Sequence, residues 1–502
     1  MTIEDERYSL QLKLDSQKTD KERNELGQFS TPFPLAMEMA EYALSVSHPG
    51  PLRFLEPSIG TGVFYSALRR ISGDIEYARG YEIDSHYYTP TKEFWRHDIL
   101  ELINGDFFNQ APQRRYNLIL ANPPYSRHHH INELIKKQLQ ERVYSEYGIS
   151  ISGLAGLYCY FLILSTSWLE NDGISCWLIP SEFLDVKYGE AVKQFLCTKV
   201  ELLSIHRFDP SDLQFADALV SSSIVTFRNR PPHGRSVRLS TGGRPTEPTI
   251  SHTVSIGNIN PTDKWSLLFN DETESIDGLP LGHYFKVSRG ISTGNNSFFI
   301  ISKAEAERRQ LPAEFLTPIL PAPRHLKESL ILEERSNLHE ENLFFLLSCP
   351  LDINDVRDRY PNLYEYIVEG ELNNANAGYN CRRRIPWYMS ETRKPAPIYM
   401  TYMGRGENSQ RMFRFILNES ESVVSNSYLM LFPKEEYKTC LKDRYILKAV
   451  WETLNNIPKS RLSQCGRSYG GGLFKIEPRE LERLKVPELQ AILISGQGNL
   501  FA

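Results

Sequence analysis

The chain has 502 residues, of which 57 are Lys or Arg and 62 are Asp or Glu, giving a formal net charge of -5 at pH 7. This length is sufficient for two or three domains, each with a sizeable buried core. The acidic balance excludes a generally basic nucleic-acid binder, so any attraction for phosphate must come from local patches.

The cysteines and the apolar stretches bear on the cellular setting. The seven cysteines show no Cys-x-x-Cys spacing, and several lie inside apolar runs, as reduced core residues do. The first residues are charged and polar with no apolar stretch behind them, so no secretory signal is expected. The longest apolar stretch, Leu154 to Leu169, is too short and too interrupted by Ser and Thr to cross a bilayer. We expect a cytoplasmic protein with no membrane partner.

The chain opens with a polar arm to about Leu26, and alternating strands and helices follow, beginning with a helix from Ala36 to Leu44. Alternation of this kind predicts an α/β fold with a doubly wound, mostly parallel sheet covered on both faces. Two closely spaced strands at the end indicate an antiparallel hairpin that finishes the sheet. The expected strands lie near Arg53–Glu56, Tyr77–Ile83, Tyr116–Ala121, Ile174–Ile179, Leu202–Phe208 and Ser222–Phe227, with helices such as Leu154–Glu170 and Gly189–Thr198 between them.

The first of these strands runs into a glycine-bearing turn, Pro57–Gly62. Glycine lets a ligand approach the backbone closely. A dinucleotide fingerprint would place its third glycine at the position of Tyr65, so pyrophosphate is disfavoured and a nucleoside without phosphates fits better. The next strand ends in Tyr81-Glu82-Ile83-Asp84, and an acid at this place typically binds ribose hydroxyls.

The segment Asn104–Phe108 supplies the rest of a nucleoside site. Asp106 is suited to an adenine amino group, and Phe107 to the face of the adenine ring. Together these features favour S-adenosylmethionine as the ligand.

The tetrapeptide Asn122-Pro123-Pro124-Tyr125 directly follows a strand, which is where open α/β sheets carry out chemistry. Two prolines fix two φ angles and remove two N–H donors, so the loop is stiff and rich in acceptors. The Asn122 side-chain oxygen and the Pro123 carbonyl are suited to hold both protons of an exocyclic NH2 group, with Tyr125 flat against the ring that carries it. The alternative is a simple strand-to-loop turn.

The motif order resembles that of the gamma-class amino-methyltransferases, which methylate adenine N6 in DNA within bacterial type II restriction-modification systems. In that class a lid segment over the cofactor precedes the first strand, and Gly27–Pro32 stands at this place. The resemblance implies a seven-stranded sheet, double-stranded DNA as substrate, base flipping, and a cognate endonuclease that shares the target without necessarily forming a complex. The cofactor-binding residues it implies are Thr31, Glu56, Pro57, Ser58, Gly60, Glu82, Ile83, Asp106 and Phe107.

The segment Ser221–Phe227 resembles the last sheet strand of the family, whose aromatic residue packs against the extruded base. Phe227 is the candidate for that contact, which adds it to Asn122, Pro123, Pro124 and Tyr125 as the expected catalytic residues. Ordinary core packing is the alternative for a phenylalanine at the end of a strand.

The composition changes after this strand. Arg228–Gly234 and Thr241–Pro245 are typical of linkers, so we expect a catalytic domain over residues 1–235 and a mixed α+β target-recognition domain over residues 236–502. Segments resembling landmarks of the family's recognition domain lie at Leu279–Phe285, Gly290–Asn296, Phe315–Lys327 and Pro395–Pro433.

Two basic clusters beyond this break are candidates for contacts to phosphates. One contains Arg382 and Arg383, and the other contains Lys475, Arg479 and Arg483. Solvated surface is the alternative for both. The run of three histidines at 128–130 makes a poor metal site, because three successive side chains do not converge on one ion, and a loop touching DNA is the preferred interpretation.

Other functions share parts of this pattern. A protein glutamine-N5 methyltransferase uses the same four-residue loop, but it has little need for residues 236–502. A cytosine-N4 methyltransferase presents a chemically similar amine, which the loop alone does not exclude. A fused nuclease lacks room ahead of the lid segment, and an inactive DNA-binding module would not need Asn122 or Asp106. The expected mechanism is direct in-line methyl transfer without a covalent enzyme intermediate.

Overall fold

The computed structural model of the chain describes residues 2–19, 22–23, 27–112, 115–126, 131–208, 221–233, 236–269, 278–405, 413–458, 461–462, 465–469 and 473–498. The chain divides into two units: residues 1–273 with 469–472, and residues 274–468 with 473–502.

A mixed sheet forms the centre of the first unit, and its described part contains nine strands. They are β1 (Leu52–Glu56), β2 (Ile75–Glu82), β3 (Leu100–Asn104), β4 (Tyr116–Ala121), β5 (Leu169–Pro180), β6 (Glu201–Arg207), β7 (Ser222–Arg228), β8 (Ser236–Gly243) and β9 (Pro248–Ser255). Across the sheet their order is β3-β2-β1-β4-β5-β7-β6-β8-β9. Strands β1 to β5 are parallel to one another, and β7 runs antiparallel to both β5 and β6. The doubly wound, mostly parallel sheet is therefore confirmed, and β6 and β7 form the expected antiparallel pair, although this pair does not finish the sheet.

Helices connect these strands. They are α1 (Ile3–Asp15), α2 (Phe33–Ser45), α3 (Val63–Ile71), α4 (Ser85–Phe94), α5 (Glu133–Tyr147), α6 (Leu157–Leu164) and α7 (Glu190–Thr198). Successive side chains of a strand point to opposite faces of a sheet. Accordingly Leu55 and Ile119 belong to one buried apolar cluster, while Phe54 and Leu118 belong to another. The sheet thus carries a hydrophobic core on each face.

The sheet extends beyond the seven expected strands. β8 pairs in parallel with β6, and β9 returns antiparallel to β8. Gly242 and Gly243 have φ angles of +67° and +66°, so the segment interpreted as a linker is the turn of a hairpin. The expected domain boundary at residue 235 therefore falls inside the first unit. The short strand β3 was also absent from the expected strands.

The polar arm expected at the start of the chain is largely helical, because residues Ile3–Asp15 form α1. Thr2 and Asp5 form a capping box at its first turn. The buried residues of α1 are Arg7, Gln11 and Leu14, of which two are polar. A helix that is anchored by polar side chains shows no apolar periodicity, which is why the sequence pattern missed it.

The second unit is a mixed α+β structure. Its strands are β10 (Phe285–Arg289), β11 (Ile300–Ser302), β12 (Leu316–Ile319), β13 (Leu330–Ile331), β14 (Phe344–Leu347), β15 (Ile398–Thr401), β16 (Met403–Arg405), β17 (Phe415–Asn418), β18 (Tyr428–Pro433), β19 (Arg467–Tyr469) and β20 (Leu473–Lys475). One sheet has the order β10-β18-β15-β17-β13, a smaller one has the order β11-β14-β12, and β16 pairs with β20.

The helices of this unit are short apart from three of eleven or twelve residues. They are α8 (Leu281–Tyr284), α9 (Asn296–Phe299), α10 (Lys303–Arg308), α11 (Ile353–Arg359), α12 (Pro361–Leu372), α13 (Tyr379–Arg382), α14 (Arg444–Asn455), α15 (Pro478–Glu482) and α16 (Glu488–Gly498).

In the ranges that the structure describes, no helix combines the length and the apolar character needed to cross a bilayer. Five cysteines are buried, which agrees with their expected place in the core: Cys159, Cys176, Cys349, Cys381 and Cys440.

Candidate active site

A cavity of about 460 Å³ lies in the first unit at the carboxyl ends of β1, β2, β3 and β4. The sheet order changes direction here, because β1 has β2 on one side and β4 on the other. Such a switch point is where open α/β sheets bind ligands. Every residue that the sequence assigned to the cofactor lines this cavity: Thr31, Glu56, Pro57, Ser58, Gly60, Glu82, Ile83, Asp106 and Phe107.

The turn after β1 leaves open space for a ligand. Gly60 has a φ angle of +55°, and a Cβ added to it would meet no heavy atom within 4 Å. Its N–H donates a hydrogen bond of 3.0 Å to Glu82 Oε2. The backbone at this turn is therefore both left-handed, which favours glycine, and open toward the cavity.

Glu82 stands at the end of β2 and is nearly buried, with 9% of its surface exposed. Its Oε1 accepts a hydrogen bond of 2.8 Å from the Asp84 N–H, which together with the bond from Gly60 fixes both carboxylate oxygens. Burial raises the pKa of Glu82 above its ordinary value, although these two N–H donors act in the opposite direction. Each carboxylate oxygen keeps a further lone pair, so hydroxyl donors can still bind.

Glu56 is the most deeply buried acid of the cavity, with 2% of its surface exposed. Its Oε2 has no hydrogen-bond partner in the part of the chain that the structure describes. Burial raises the pKa of Glu56 well above its ordinary value, the nearby Arg7 guanidinium opposes this, and Glu82 adds to it. A buried carboxylate without a partner is costly, so this atom favours a ligand group that is cationic or donates hydrogen bonds.

The lid segment passes directly over the Asn122–Tyr125 loop. The Gly27 carbonyl accepts a hydrogen bond of 3.0 Å from the Tyr125 N–H. Gly27 has a φ angle of +69°, and a Cβ at this position would lie 2.4 Å from the Ser126 backbone nitrogen. Only glycine permits this approach, so the position of the segment is fixed by its first residue.

Asn122 is oriented by the same segment. Its Nδ2 donates to the Phe29 carbonyl at 2.9 Å and to Thr31 Oγ1 at 3.0 Å. Its Oδ1 is buried and has no partner among the described residues. The amide therefore presents an acceptor whose direction is already set, and the Ser58 hydroxyl steadies the loop by donating to the Asn122 carbonyl at 3.3 Å.

The other residues of the loop take different places. Asn122 and Pro124 line the cavity, whereas Pro123 is buried beside it. Tyr125 is half-buried, its ring centroid lies 5.6 Å from that of Phe29, and its hydroxyl donates to the Leu178 carbonyl at 3.2 Å. Burial raises the pKa of Tyr125 above its ordinary value, so the phenol keeps its proton.

Phe227 does not join this group. The side chain has no exposed surface and packs in the core, where its ring meets Phe195 edge to face at 5.9 Å. A ring enclosed on all sides offers no face to a base. Phe227 is therefore a core residue, and its assignment to the extruded base was wrong. In the sequence, an aromatic residue that packs in the core and one that contacts a base look the same at the end of a strand.

Phe107 lines the cavity but is also largely a core residue, stacked against Phe161 at 5.9 Å. Asp106 accepts a hydrogen bond of 2.9 Å from the Phe108 N–H, which holds the turn that carries both residues. Other cavity residues were not singled out from the sequence. Gln28, Ser30, Thr61 and Phe108 lie in segments that the sequence analysis named, whereas the following come from distant parts of the chain: Gln11, Tyr87, Ile131, Asn132, Ile135, Leu157 and Phe161.

The basic residues expected to contact DNA lie in the second unit and differ in their surroundings. Arg382, Arg383, Arg479 and Arg483 are exposed, and none of them pairs with a carboxylate in the described ranges. Lys475 instead forms an ion pair of 3.1 Å with Glu477, which Arg289 also contacts. The charge of Lys475 is thus partly compensated within the protein.

Residues 128–130 lie outside the described residues, so the histidine run has no structural assignment. Within the described part of the chain, no group of three or more His, Cys, Asp or Glu side chains could hold a metal ion.

Two family models match the chain. "Eco57I restriction-modification methylase" matches residues 62–214, and "Type II methyltransferase M.Eco57I, C-terminal domain" matches residues 265–498. The first match covers β2, β3 and β4 of the strands around the cavity but begins after β1, and the second covers most of the second unit.

Similar proteins extend over nearly the whole chain. Type II methyltransferase M.AccI of Acinetobacter calcoaceticus is 27% identical over 482 residues, which are 92% of this chain and 85% of that protein. Type II methyltransferase M.XamI of Xanthomonas campestris pv. amaranthicola is 25% identical over 486 residues, again 92% of this chain and 85% of the relative.

Among solved structures, that of the type IIL restriction-modification enzyme MmeI in complex with DNA is similar with a TM-score of 0.56. It is 13% identical, and the match covers 97% of this chain and 78% of that one. The DrdV–DNA complex is similar with a TM-score of 0.52 at 12% identity, covering 95% of this chain and 57% of that one. At this level of identity the likeness concerns the fold.

Proposed function

Because the chain is related to the type II restriction-modification methyltransferases, we propose that it methylates adenine N6 in double-stranded DNA with S-adenosylmethionine as the cofactor. The observation that carries this proposal is the Asn122 amide, whose nitrogen is bound by the lid segment while its oxygen is buried without a described partner. An acceptor fixed in this way fits an exocyclic amine. The lid segment ahead of the first strand favours the gamma class, and hence adenine.

The loop would act on the amine by binding both of its protons. Asn122 Oδ1 would accept one, and the Pro123 carbonyl would accept the other. Two such bonds draw the nitrogen toward tetrahedral geometry and free its lone pair. Since the two prolines and the lid contacts hold the loop before the base arrives, positioning contributes most of the rate enhancement. Tyr125 would stack on the base, with its ring held by the bond to the Leu178 carbonyl.

The cavity suits S-adenosylmethionine on the chemistry of its acids. The buried Oε2 of Glu56 fits a cationic ammonium group, Glu82 fits a ribose diol, and Asp106 fits the adenine amino group. The open space above Gly60 allows close approach to the backbone. When bound, this cofactor supplies the methyl group. Glu56 and Glu82, at the carboxyl ends of β1 and β2, would repel a pyrophosphate, which also favours a nucleoside without phosphates.

The target adenine must leave the duplex to reach the loop, and unstacking costs about a few kcal/mol. We assign DNA binding to the second unit, in which the exposed residues Arg382, Arg383, Arg479 and Arg483 lack carboxylate partners in the described ranges. The MmeI and DrdV structures are complexes with DNA, which supports DNA as a partner of this chain. In a restriction-modification system the modification would protect host DNA from an endonuclease with the same target.

The direct test is to incubate plasmid DNA with the protein and S-adenosylmethionine and to identify the methylated nucleoside by mass spectrometry. We expect N6-methyladenine with the wild type and, in the same time, at least about a hundredfold less with Asn122→Ala. N4-methylcytosine would reassign the target base to cytosine. Methylated glutamine in a protein substrate, with no methylated nucleoside in DNA, would support a glutamine-N5 methyltransferase. Unmodified DNA from a wild-type protein that binds the cofactor would contradict the proposal.

A further inference from the structure

Asp15 is the last residue of α1, where a carboxylate has no advantage for the helix itself. The C-terminal end of a helix carries partial negative charge, so an acid at this end is unfavourable for the helix. The position of Asp15 must therefore be explained by its contacts.

Those contacts join three separate walls of the cavity. Asp15 Oδ1 accepts from Gln11 Nε2 at 2.8 Å and from the Tyr87 hydroxyl at 2.8 Å, and its Oδ2 accepts from Ser30 Oγ at 3.0 Å. Gln11 belongs to α1, Tyr87 to α4 and Ser30 to the lid segment, and all three line the cavity. Burial, and then the Asp15 carboxylate, raise the pKa of Tyr87, so its phenol remains a donor.

The helix that carries Asp15 is fixed to the glycine turn. Arg7 is 2% exposed and donates to Thr61 Oγ1 at 2.6 Å, while Glu4 accepts from Ser66 Oγ at 2.6 Å. The Thr61 hydroxyl in turn donates to Gln11. These bonds give Asp15 a rigid frame, so its bond to Ser30 sets the position of the lid segment relative to the turn after β1.

Ser30 connects this frame to the reacting end of the cavity. It lies between Phe29 and Thr31, and these two residues hold Asn122 Nδ2. A shift of Ser30 would move both acceptors and rotate the Asn122 amide. Since catalytic efficiency depends on placement to within fractions of an ångström, such a shift would slow the reaction as well as open the cavity.

We propose that Asp15 is a positioning residue that couples the cofactor cavity to Asn122 by tying α1, α4 and the lid segment together. This inference rests on the function proposed above. It assigns to the N-terminal helix a role in both cofactor affinity and the rate of methyl transfer.

The test compares four variants of the full-length protein. Asp15→Ala removes all three bonds, and Ser30→Ala removes only the bond to the lid segment. Asp15→Asn preserves the network, because its oxygen accepts from Gln11 and Tyr87 and its nitrogen can donate to the Ser30 hydroxyl. Asp5→Ala is the matched control: it breaks the exposed capping box of α1 and leaves every cavity contact in place.

Affinity for S-adenosylmethionine is measured by calorimetry, and the rate of methyl transfer in a single turnover at saturating cofactor and DNA. Losing bonds to a charged group should weaken the affinity of Asp15→Ala about tenfold or more, with a comparable loss of rate. Asp15→Asn should restore both quantities to within about threefold, a change below one broken hydrogen bond. Ser30→Ala should lower the rate more than the affinity, and hydrogen exchange over residues 27–32 should quicken in Asp15→Ala and in Ser30→Ala.

Wild-type affinity and rate in Asp15→Ala would overturn the inference, as would an equal loss in Asp5→Ala, which would show that only the integrity of the helix matters. If Asp15→Ala does not fold by circular dichroism, Ser30→Ala decides, and a wild-type rate in that variant would refute the coupling. The wild-type protein separates the two proposals: failure to bind the cofactor or to methylate DNA would reject the proposed function, whereas normal wild-type behaviour with unaffected variants would reject the role of Asp15 alone.

Discussion

At the scale of single residues, Asn122 is the side chain whose surroundings specify its chemistry most narrowly. Its nitrogen donates to two acceptors, and its oxygen has no donor among the described residues, so the amide cannot flip without losing both bonds. An orientation that is fixed before the substrate arrives is the condition for transition-state stabilisation by a preorganised group.

We therefore expect Asn122→Ala to lower the single-turnover rate of methyl transfer by about 10²–10³-fold or more, as removal of a preorganised group does in other enzymes. DNA affinity should stay within a few-fold, because the arginines assigned to DNA lie elsewhere. Asn109→Ala, at an exposed position outside the cavity, is the control and should behave as wild type. A normal rate in Asn122→Ala would rule out the proposed role of the loop.

Glu56 offers a prediction on stability against pH. Its pKa is raised by burial, so its contribution to stability is fully present below the unfolded value near 4.5 and is lost as the pH rises through the folded pKa. Glu56→Gln cannot ionise. Without cofactor, we expect the variant to melt at a higher temperature than wild type above the folded pKa, and the difference to vanish toward acid.

The same substitution should weaken the response to cofactor. Gln offers no negative charge to an ammonium group, so S-adenosylmethionine should raise the melting temperature of Glu56→Gln less than that of wild type. Differential scanning calorimetry at several pH values measures both effects, with about 2–4 °C corresponding to each kcal/mol in a domain of this size. If the difference in melting temperature between the two proteins were the same at every pH, the ionisation of Glu56 would not destabilise the folded protein.

The cavity residues assigned from the sequence could be predicted because each belongs to a short motif, in most cases at the end of a strand. The turn after β1 and the acid after β2 are local features, and their meeting at one edge follows from the parallel sheet. The prediction that Phe227 contacts the base was wrong because the sequence of one strand does not show which of its side chains are buried. Asp15 and Tyr87 were missed because their meeting depends on how α1 packs, and a helix held by polar bonds leaves no periodic pattern.

At the scale of elements, the hairpin of β8 and β9 changes where the first unit ends. β8 covers the edge of β6, and Val237 and Leu239 are buried in the same cluster as Ile259, Trp265 and Phe269. The glycines and proline between the two strands suggested a linker, since a turn and a linker share the same composition. Only the pairing of β8 with β6, which are distant in sequence, distinguishes them.

A fragment that ends at residue 230 should therefore fail to fold, whereas one that ends at residue 273 should fold and bind S-adenosylmethionine. The shorter fragment loses five buried apolar side chains at about 1.5–3 kcal/mol each. That sum is comparable to the whole stability of a typical domain. Circular dichroism and calorimetry on both fragments measure this, and a stable, cofactor-binding fragment ending at residue 230 would show that the hairpin is dispensable.

At the scale of the whole molecule, a net charge of -5 requires that attraction for DNA be local. The structure separates the basic residues into two kinds: Arg479 and Arg483 are exposed without described carboxylate partners, while Lys475 is paired with Glu477. Sequence analysis gave all three equal weight, because charge alone does not show which basic side chains contact a carboxylate.

Replacing Arg479 and Arg483 with Gln should weaken binding to every duplex and reduce the slope of log affinity against log salt by about 0.9 per lost phosphate contact. Lys475→Gln should change the slope less, since Glu477 already compensates its charge. Fluorescence anisotropy at several salt concentrations, with target and random duplexes, measures both. An unchanged slope in the double arginine variant would remove these residues from the DNA interface.

The strand order also gives the distance between the outer hairpin and the cavity. β9 stands five places from β4 in the sheet, and neighbouring strands lie about 4.7–4.9 Å apart, so the outer hairpin is roughly 24 Å from the strand that carries Asn122. Thr246, at the exposed tip of that hairpin, is thus a suitable attachment point for a fluorescent dye. Energy transfer from this dye to a labelled duplex would follow the arrival of DNA at the cavity without any change to the residues that line it.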